Sequence, residues 1–384
     1  MRVPFLNSRM QGFGTTIFAQ MSSLAHEHNA INLGQGFPDT DGPPEIANAA
    51  VAAIQEGHNQ YPPGQGILRL RQAIAMHQDI YYDLKYDVET EILVTAGATE
   101  AIVASLLAIC ELGDEVIAFE PFYDSYSAAV SMAGGRLVPI RLTEPDWEFD
   151  SDDIRRAITP RTRAIILNSP HNPTGKVFSF QELATIGELC VEHDIIAITD
   201  DVYEHIIFDG KHYPLAMFPG MKGRCISISS GAKTFSYTGW KIGWVTASAP
   251  LIAAVRTTKQ FLTYANGTPF QFAIALGLEN QRRFCDAVAP KLLPSRYELS
   301  LGLDEAGFKL QASDGTYFVT TDISALYQGT AMEFCLELPA RIGVAAIPLS
   351  AFYQNPDQGS KLVRWTFCKK IEVIKEAVSR LKEL

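Results

Sequence analysis

One lysine stands where few lysines do. In "SISSGAKTFSYTGWKIGWV", residues 227–245, Lys233 follows an apolar run and a Ser-Gly turn, with aromatic residues and a second lysine, Lys241, close behind. A lysine held out of water loses its proton more readily and becomes a nucleophile. Such an amine can join an aldehyde as a Schiff base. Three further segments end apolar runs with polar groups. "TAGATEA" sets Gly97, Ala98 and Thr99 at a strand-to-helix turn, where free N–H groups and the positive helix end suit a phosphate. A simple N-cap by Thr99 explains the same residues. "NSPHNPTGK" places Asn172 before Pro173, which bars it from helix and holds it extended; a tight turn is the plain alternative. "ITDDVYEH" offers Asp200, Asp201 and Tyr203. An acidic pair of this kind also arises as an N-cap and a solvated neighbour. The functional reading turns Asp200 inward to pair with a buried cation.

The elements needed to gather these groups are legible. "EILVTAG", "DEVIAFE", "RLVPIRL", "TRAIILNSP", "DIIAITD", "RCISISS" and "KIGWVTA" read as strands. The runs "ATEAIVASLLAICEL", "YDSYSAAVSMA" and "SFQELATIGELCVEH" read as helices between them. This alternation predicts an α/β protein with a mainly parallel sheet between helices, and ligands outside the carboxyl ends of its strands. Further on, "GTYFVTTDI" and "VRWTFC" read as isolated strands among helices, and "IEVIKEAVSRLKEL" as a closing amphipathic helix. The expected division is an arm over residues 1–40 that packs on the smaller domain, a large domain over 41–285, and a smaller α+β domain over 286–384. "GQGFPD" and "GQGILR" begin like dinucleotide fingerprints, but both lack the third glycine and a clean strand-to-helix turn, which argues against a nicotinamide enzyme.

Taken together, "NSPHNPTGK", "ITDDVYE", "SSGAKTFSYTGWKIGW" and "VRWTFC" resemble the signature set of the class I/II aminotransferases, pyridoxal-phosphate enzymes of fold type I. The order and separations match over nearly the whole chain. "GFGTTIFAQMSSLAHEHNAINLGQGFPD", "NQYPPGQG" and "FEPFYDSY" are similar to the methionine aminotransferase and kynurenine/glutamine transaminase branch. The resemblance implies pyridoxal 5'-phosphate as cofactor. Lys233 matches the lysine that holds its aldehyde and shuttles the proton, and Asp200 the carboxylate paired with the ring nitrogen. Asn172 and Tyr203 match the pair on the ring oxygen, and Tyr123 the stacking aromatic. Gly97, Ala98, Thr99, Ser230 and Lys241 match positions around the phosphate; the wider family carries arginine at the last of these. Arg364 resembles the clamp on the substrate carboxylate, with Gly36 bringing backbone close and Phe13 and Ile17 as side-chain walls. Tyr61 resembles a tyrosine that reaches into the neighbouring subunit's phosphate site, which implies a homodimer with shared active sites. The implied activity moves an amino group from an L-amino acid (methionine, glutamine, kynurenine or aromatic) to a 2-oxo acid. A C–S β-lyase on cystathionine or cysteine conjugates and an aspartate-type aminotransferase are the rivals.

Bulk properties exclude other classes. A net charge of -11 over 384 residues argues against nucleic-acid binding. Neither a transmembrane run nor a signal peptide is expected. The six cysteines are scattered, as in a reduced, cytoplasmic protein. No Cys/His spacing suggests a metal.

Overall fold

The computed structural model describes residues 3–384. Its main sheet has seven strands: β1 (Ile92–Thr95), β2 (Glu115–Glu120), β3 (Arg136–Arg141), β4 (Thr162–Asn168), β5 (Ile196–Asp200), β6 (Cys225–Ser230) and β7 (Gly243–Thr246). They lie in the order β1-β7-β6-β5-β4-β2-β3. Only β7 runs against its neighbours, pairing antiparallel with β1 and β6. Alternation along each strand divides the core in two. Ile117 and Phe119 of β2, with Ile165 and Leu167 of β4, enter one apolar cluster. Val116 and Ala118, with Ala164 and Ile166, enter another on the opposite face. Successive side chains point to opposite faces, so strands covered by helices on both sides are apolar throughout.

This topology collects the chemistry at one edge. β1, β2, β4, β5 and β6 all finish there, and the reversed β7 begins there, with Gly243 opposite both Thr95 and Ser230.

The last third differs from the sequence reading in one respect. Phe318–Asp322 and Leu362–Thr366 are not isolated; they pair antiparallel, with Thr320 opposite Arg364. Lys309–Leu310 and Ile347–Pro348 extend them to a four-stranded sheet. Short strands of four or five alternating residues carry too little pattern to reveal partners. The closing helix Ile371–Leu381 packs on Val288–Glu305.

The first forty residues touch both sheets' surroundings. Thr16 caps the helix Ile17–Glu27 by accepting from the Ala19 N–H. Ile31–Asn32 then pairs in parallel with Val344–Ala345. Earlier in the segment, the Arg9 guanidinium donates to the Met132 carbonyl at 3.1 Å and the Ser131 hydroxyl to the Arg9 carbonyl at 2.5 Å. Among the described residues no helix is long and apolar enough to cross a membrane.

Candidate active site

At the carboxyl edge, β6 ends at Ser230, whose hydroxyl accepts from the Ala232 N–H and starts a short helix, Gly231–Thr234. That turn projects Lys233 inward. Its Nζ lies 3.2 Å from the Gly36 carbonyl, with the Tyr317 and Tyr203 rings 5.5 and 5.8 Å away. Burial lowers the ammonium pKa to about 8, against the pull of Cys368 and Asp200. Near neutrality the amine is therefore far closer to its nucleophilic form than a surface lysine.

One strand over, Asp200 ends β5 and is buried. Tyr126 donates to its Oδ2 at 2.7 Å, while Oδ1 is buried without a partner. Burial raises its pKa; the Tyr126 bond, the Val202 N–H and Lys233 act the other way. Asp201 is not the solvated neighbour of the plain alternative. It is buried and accepts from the Thr199 hydroxyl at 2.7 Å.

The end of β4 ties these groups to the small sheet. The Asn168 amide donates to the Asp200 carbonyl and its Oδ1 accepts from the Asn172 N–H, both at 2.7 Å. Asn172 Oδ1 in turn accepts from Arg364 Nη1 at 2.8 Å, and Arg364 Nη2 donates to the Gly34 carbonyl at 2.8 Å. Arg364 is only 1% exposed, yet among the described residues no carboxylate pairs with it. Instead its guanidinium lies 3.9 Å from the Phe318 ring centroid, with Phe352 and Phe18 at 5.1 and 5.3 Å. Aromatic faces support a cation at little cost in specificity and leave outward N–H groups for an anion. Gly36 is required here, because a Cβ would come within 2.7 Å of Phe318.

After β1 the chain turns at Gly97 with φ +77° into the helix Gly97–Ile109. Thr99 is not its cap. Ala96 holds that position, and the Ala96 N–H is taken by the Glu100 side chain at 2.6 Å. Ala98 and Thr99, in the first turn of this helix, line a cavity together with Ser230 and Lys241. A Cβ on Gly97 would sit 3.2 Å from the Lys241 ammonium, so only glycine leaves this cup open. Asn266 braces it, donating to the Thr95 and Lys241 carbonyls at 2.8 and 3.0 Å.

The cavity, about 880 Å³, brings together every nominated residue but one: Gly36, Phe13, Ile17, Tyr123, Asn172, Tyr203 and the groups above all line it. Burial lifts the Tyr123 phenol to about 12. Tyr61 is absent from the lining. It is 85% exposed and rests edge-on against Tyr264, ring centroids 5.8 Å apart. Sequence reasoning missed Tyr126, Asn168, Asn266 and the Phe18–Phe318–Phe352 cage. Tyr126 sits three residues beyond Tyr123, and Asn168 is the first polar residue after an apolar strand, so both left a local signal.

These residues suit a particular guest. A free carboxylate oxygen deep in the cavity fits a protonated ring nitrogen. An open backbone cup with a lysine fits a phosphate, and a readily deprotonated amine fits an aldehyde. A caged arginine at the other wall fits a carboxylate.

Comparison with known proteins agrees. The aminotransferase class I and II family matches residues 28–381. The chain is 51% identical to a probable N-succinyldiaminopimelate aminotransferase DapC of Mycobacterium tuberculosis, over 98% of each sequence. The solved structure of N-succinyldiaminopimelate aminotransferase from that organism superposes with a TM-score of 0.96 over 98% of this chain and 99% of that one. The methionine aminotransferase of Escherichia coli is 39% identical over 98% of each, and the structure identifying that function superposes with a TM-score of 0.96 over the whole of both chains. A human kynurenine–oxoglutarate transaminase is 34% identical, covering all of this chain and 91% of its own. With an inward lysine, a buried aspartate that keeps one oxygen without a partner and an open backbone turn on this fold, the chain belongs to the class I and II aminotransferases, enzymes that depend on pyridoxal phosphate.

Proposed function

We propose that this aminotransferase takes its amino group from methionine, glutamine, kynurenine or an aromatic amino acid and passes it to a 2-oxo acid. One observation carries the choice. Among the described residues, the only cations lining the cavity are Lys233, Lys241 and Arg364. Each is committed: to the aldehyde, to the phosphate and to the substrate α-carboxylate. A second carboxylate on the donor side chain would be desolvated without a partner, at a cost of roughly several kcal/mol. The remaining wall, with Phe13 and Ile17, is apolar and suits a thioether or an aromatic ring.

Bound pyridoxal phosphate supplies the electron sink and the carbonyl that exchanges with an amino group. The residues do the rest. Lys233 would hold the cofactor aldehyde and, as a readily deprotonated amine, would carry the proton of substrate Cα. Asp200, fixed by Tyr126, would favour a protonated ring nitrogen. Asn172 and Tyr203 would hold the ring oxygen, with Tyr123 against the ring. Gly97, Ala98, Thr99, Ser230 and Lys241 would hold the phosphate. Arg364 and the Gly36 backbone orient the substrate so that its Cα–H bond faces Lys233.

A second reading has its own support in the 51% identity to the probable N-succinyldiaminopimelate aminotransferase. Such a donor carries a distal acidic group, which would need a cation from outside this chain's cavity. Steady-state kinetics with methionine, phenylalanine, glutamine, kynurenine, aspartate and N-succinyldiaminopimelate separates the readings. Methionine or an aromatic donor should exceed aspartate in kcat/KM by at least about tenfold, equal to roughly 1.4 kcal/mol. Aspartate as the best donor refutes the pocket assignment; the succinylated donor in first place establishes the second reading.

The working unit is a two-fold dimer, and Tyr61 completes the partner's phosphate site. Its 85% exposure, with that of Phe261 (83%) three residues before the Tyr264 it rests on, supports a face that another subunit covers. Mixing inactive Lys233→Ala with inactive Tyr61→Ala subunits should restore part of the activity. Verified subunit exchange without recovery would count against a shared site. We assign the enzyme to the cytoplasm, in keeping with six free cysteines. The division into an arm over 1–40, a cofactor domain over 41–285 and a smaller domain over 286–384 is supported by the separate seven- and four-stranded sheets and by the two-stranded pairing of Ile31–Asn32 with Val344–Ala345; limited proteolysis that cuts inside either larger sheet and spares the 285–286 region would contradict it.

A further inference from the structure

A second cluster of chemically capable side chains lies apart from the cavity. His77 comes from the middle of the helix Leu68–Tyr82, His205 from the turn five residues past Asp200, and Cys285 from the end of the helical turn Gln281–Phe284. Their ligand atoms all lie within 4.8 Å of one another. His77 and Cys285 are buried and His205 is half-buried. The reaction described above uses none of the three.

We propose that His77, His205 and Cys285 form a binding site for a zinc-class divalent cation, with water in the fourth position. Two imidazoles and a thiolate are the donors such an ion selects. The imidazoles meet end to end, Nε2 to Nε2 at 2.7 Å, with ring centroids 5.0 Å apart and planes at 82°. Tetrahedral bonds of about 2.0–2.1 Å to nitrogen set two ligand nitrogens about 3.3 Å apart. The ion therefore enters by replacing one hydrogen bond, with the nitrogens parting by roughly half an ångström and the rings pivoting in place. The thiol gives its proton to solvent as the metal–sulfur bond forms.

The surroundings favour a cation. Glu204 precedes His205 and Asp286 follows Cys285 in the chain, which sets two carboxylates next to the ligands. Asp286 accepts from the Tyr81 hydroxyl, and the Tyr81 ring packs on both histidines at 4.8 and 4.9 Å. The exposed Arg282 opposes this in part, lying 4.9 Å over the Tyr81 ring and 3.6 Å from Asp286. The buried Gln78 amide lies 3.4 Å from His77 Nδ1 and can present its oxygen to that ring nitrogen once Nε2 is ligated. An ion here would staple a helix, the turn that follows Asp200 and the entry to the helix Val288–Glu305. Spacing rules could not have found this site, because His77 and His205 stand 128 residues apart.

The test is titration of chelator-treated holoenzyme with cobalt(II) chloride alone. One cobalt per chain should be retained after desalting, with visible ligand-field bands and a near-ultraviolet cobalt–thiolate band in the difference spectrum. Cys285→Ser should lose the thiolate band and bind at least about tenfold more weakly. His205→Gln, at a half-buried position, should do the same to the ligand-field bands. Wild type should also melt higher with zinc, and the His205→Gln variant should not. Retention of less than one cobalt per chain, or equal binding by wild type and both variants, overturns the proposal and leaves a hydrogen-bonded histidine pair.

Discussion

The ring end of the cavity and its mouth are built on opposite principles. At the ring end, Lys233, Asp200 and Asn172 follow the ends of adjacent strands, all within one hydrogen-bonded sheet. Tyr126, Asn168 and Asn266 hold that end from behind. At the mouth, Phe13 and Ile17 belong to an N-terminal segment with no sheet partner before Ile31. Catalysis demands positions fixed to a fraction of an ångström, whereas donor choice tolerates a looser wall. On the proposed reading this is a division of labour, with the reaction type set at strand ends and the donor preference in the N-terminal segment.

The sharpest way to break this comparison is at its rigid end. Lys233→Ala should lose at least about 10⁴-fold in turnover, since one side chain supplies both the covalent link and the proton shuttle. Borohydride should fix the cofactor to wild type and not to the variant. Labelling at any other lysine would sink the assignment. A smaller loss, on the order of 10²–10³-fold, is expected for Asp200→Asn. The same variant tests the electrostatics without the cofactor. In the apoprotein, acylation of Lys233 requires the free amine, so reactivity should rise with pH through a midpoint near 8. Asp200 helps hold the proton on Lys233, so its neutralisation should move that midpoint lower. An unchanged midpoint and unchanged turnover together would reduce Asp200 to a structural role. The smallest effect belongs to the mouth. Phe13→Ala should change the methionine-to-aspartate ratio of kcat/KM by about three- to tenfold while stability moves by less than about 1 kcal/mol. A loss of all donors alike would place Phe13 with the rigid end instead.

The same contrast explains what the sequence disclosed. All seven strands of the large sheet were readable because each is a short apolar run closed by turn residues; inner strands such as Glu115–Glu120 are buried on both faces, while the edge strand Arg136–Arg141 is exposed at both ends. The residues at their ends were found as segments, and family resemblance gave them roles. What stayed hidden depends on long-range placement. Nothing local says that Thr320 will face Arg364, or that Phe18, Phe318 and Phe352, drawn from three parts of the chain, will surround one guanidinium. Thr99 had the right residue type for a cap, but a capping position depends on where the chain turns, and it turns at Gly97.

The bond between Arg364 and Asn172 has a further consequence. Arg364 already holds the Asn172 amide oxygen and the Gly34 carbonyl, and Asn172 is joined through Asn168 to the Asp200 backbone. A carboxylate arriving at this arginine would therefore meet a guanidinium that is already aimed, with Nη1 and Nη2 each keeping one N–H beyond the bond already made. Capture would add bonds to a preset donor without breaking the existing ones, so little ordering would be lost on binding. Arg364, Asn172, Asn168 and the end of β5 would stay joined, and the incoming carboxylate would be held in register with the strand that carries Asp200.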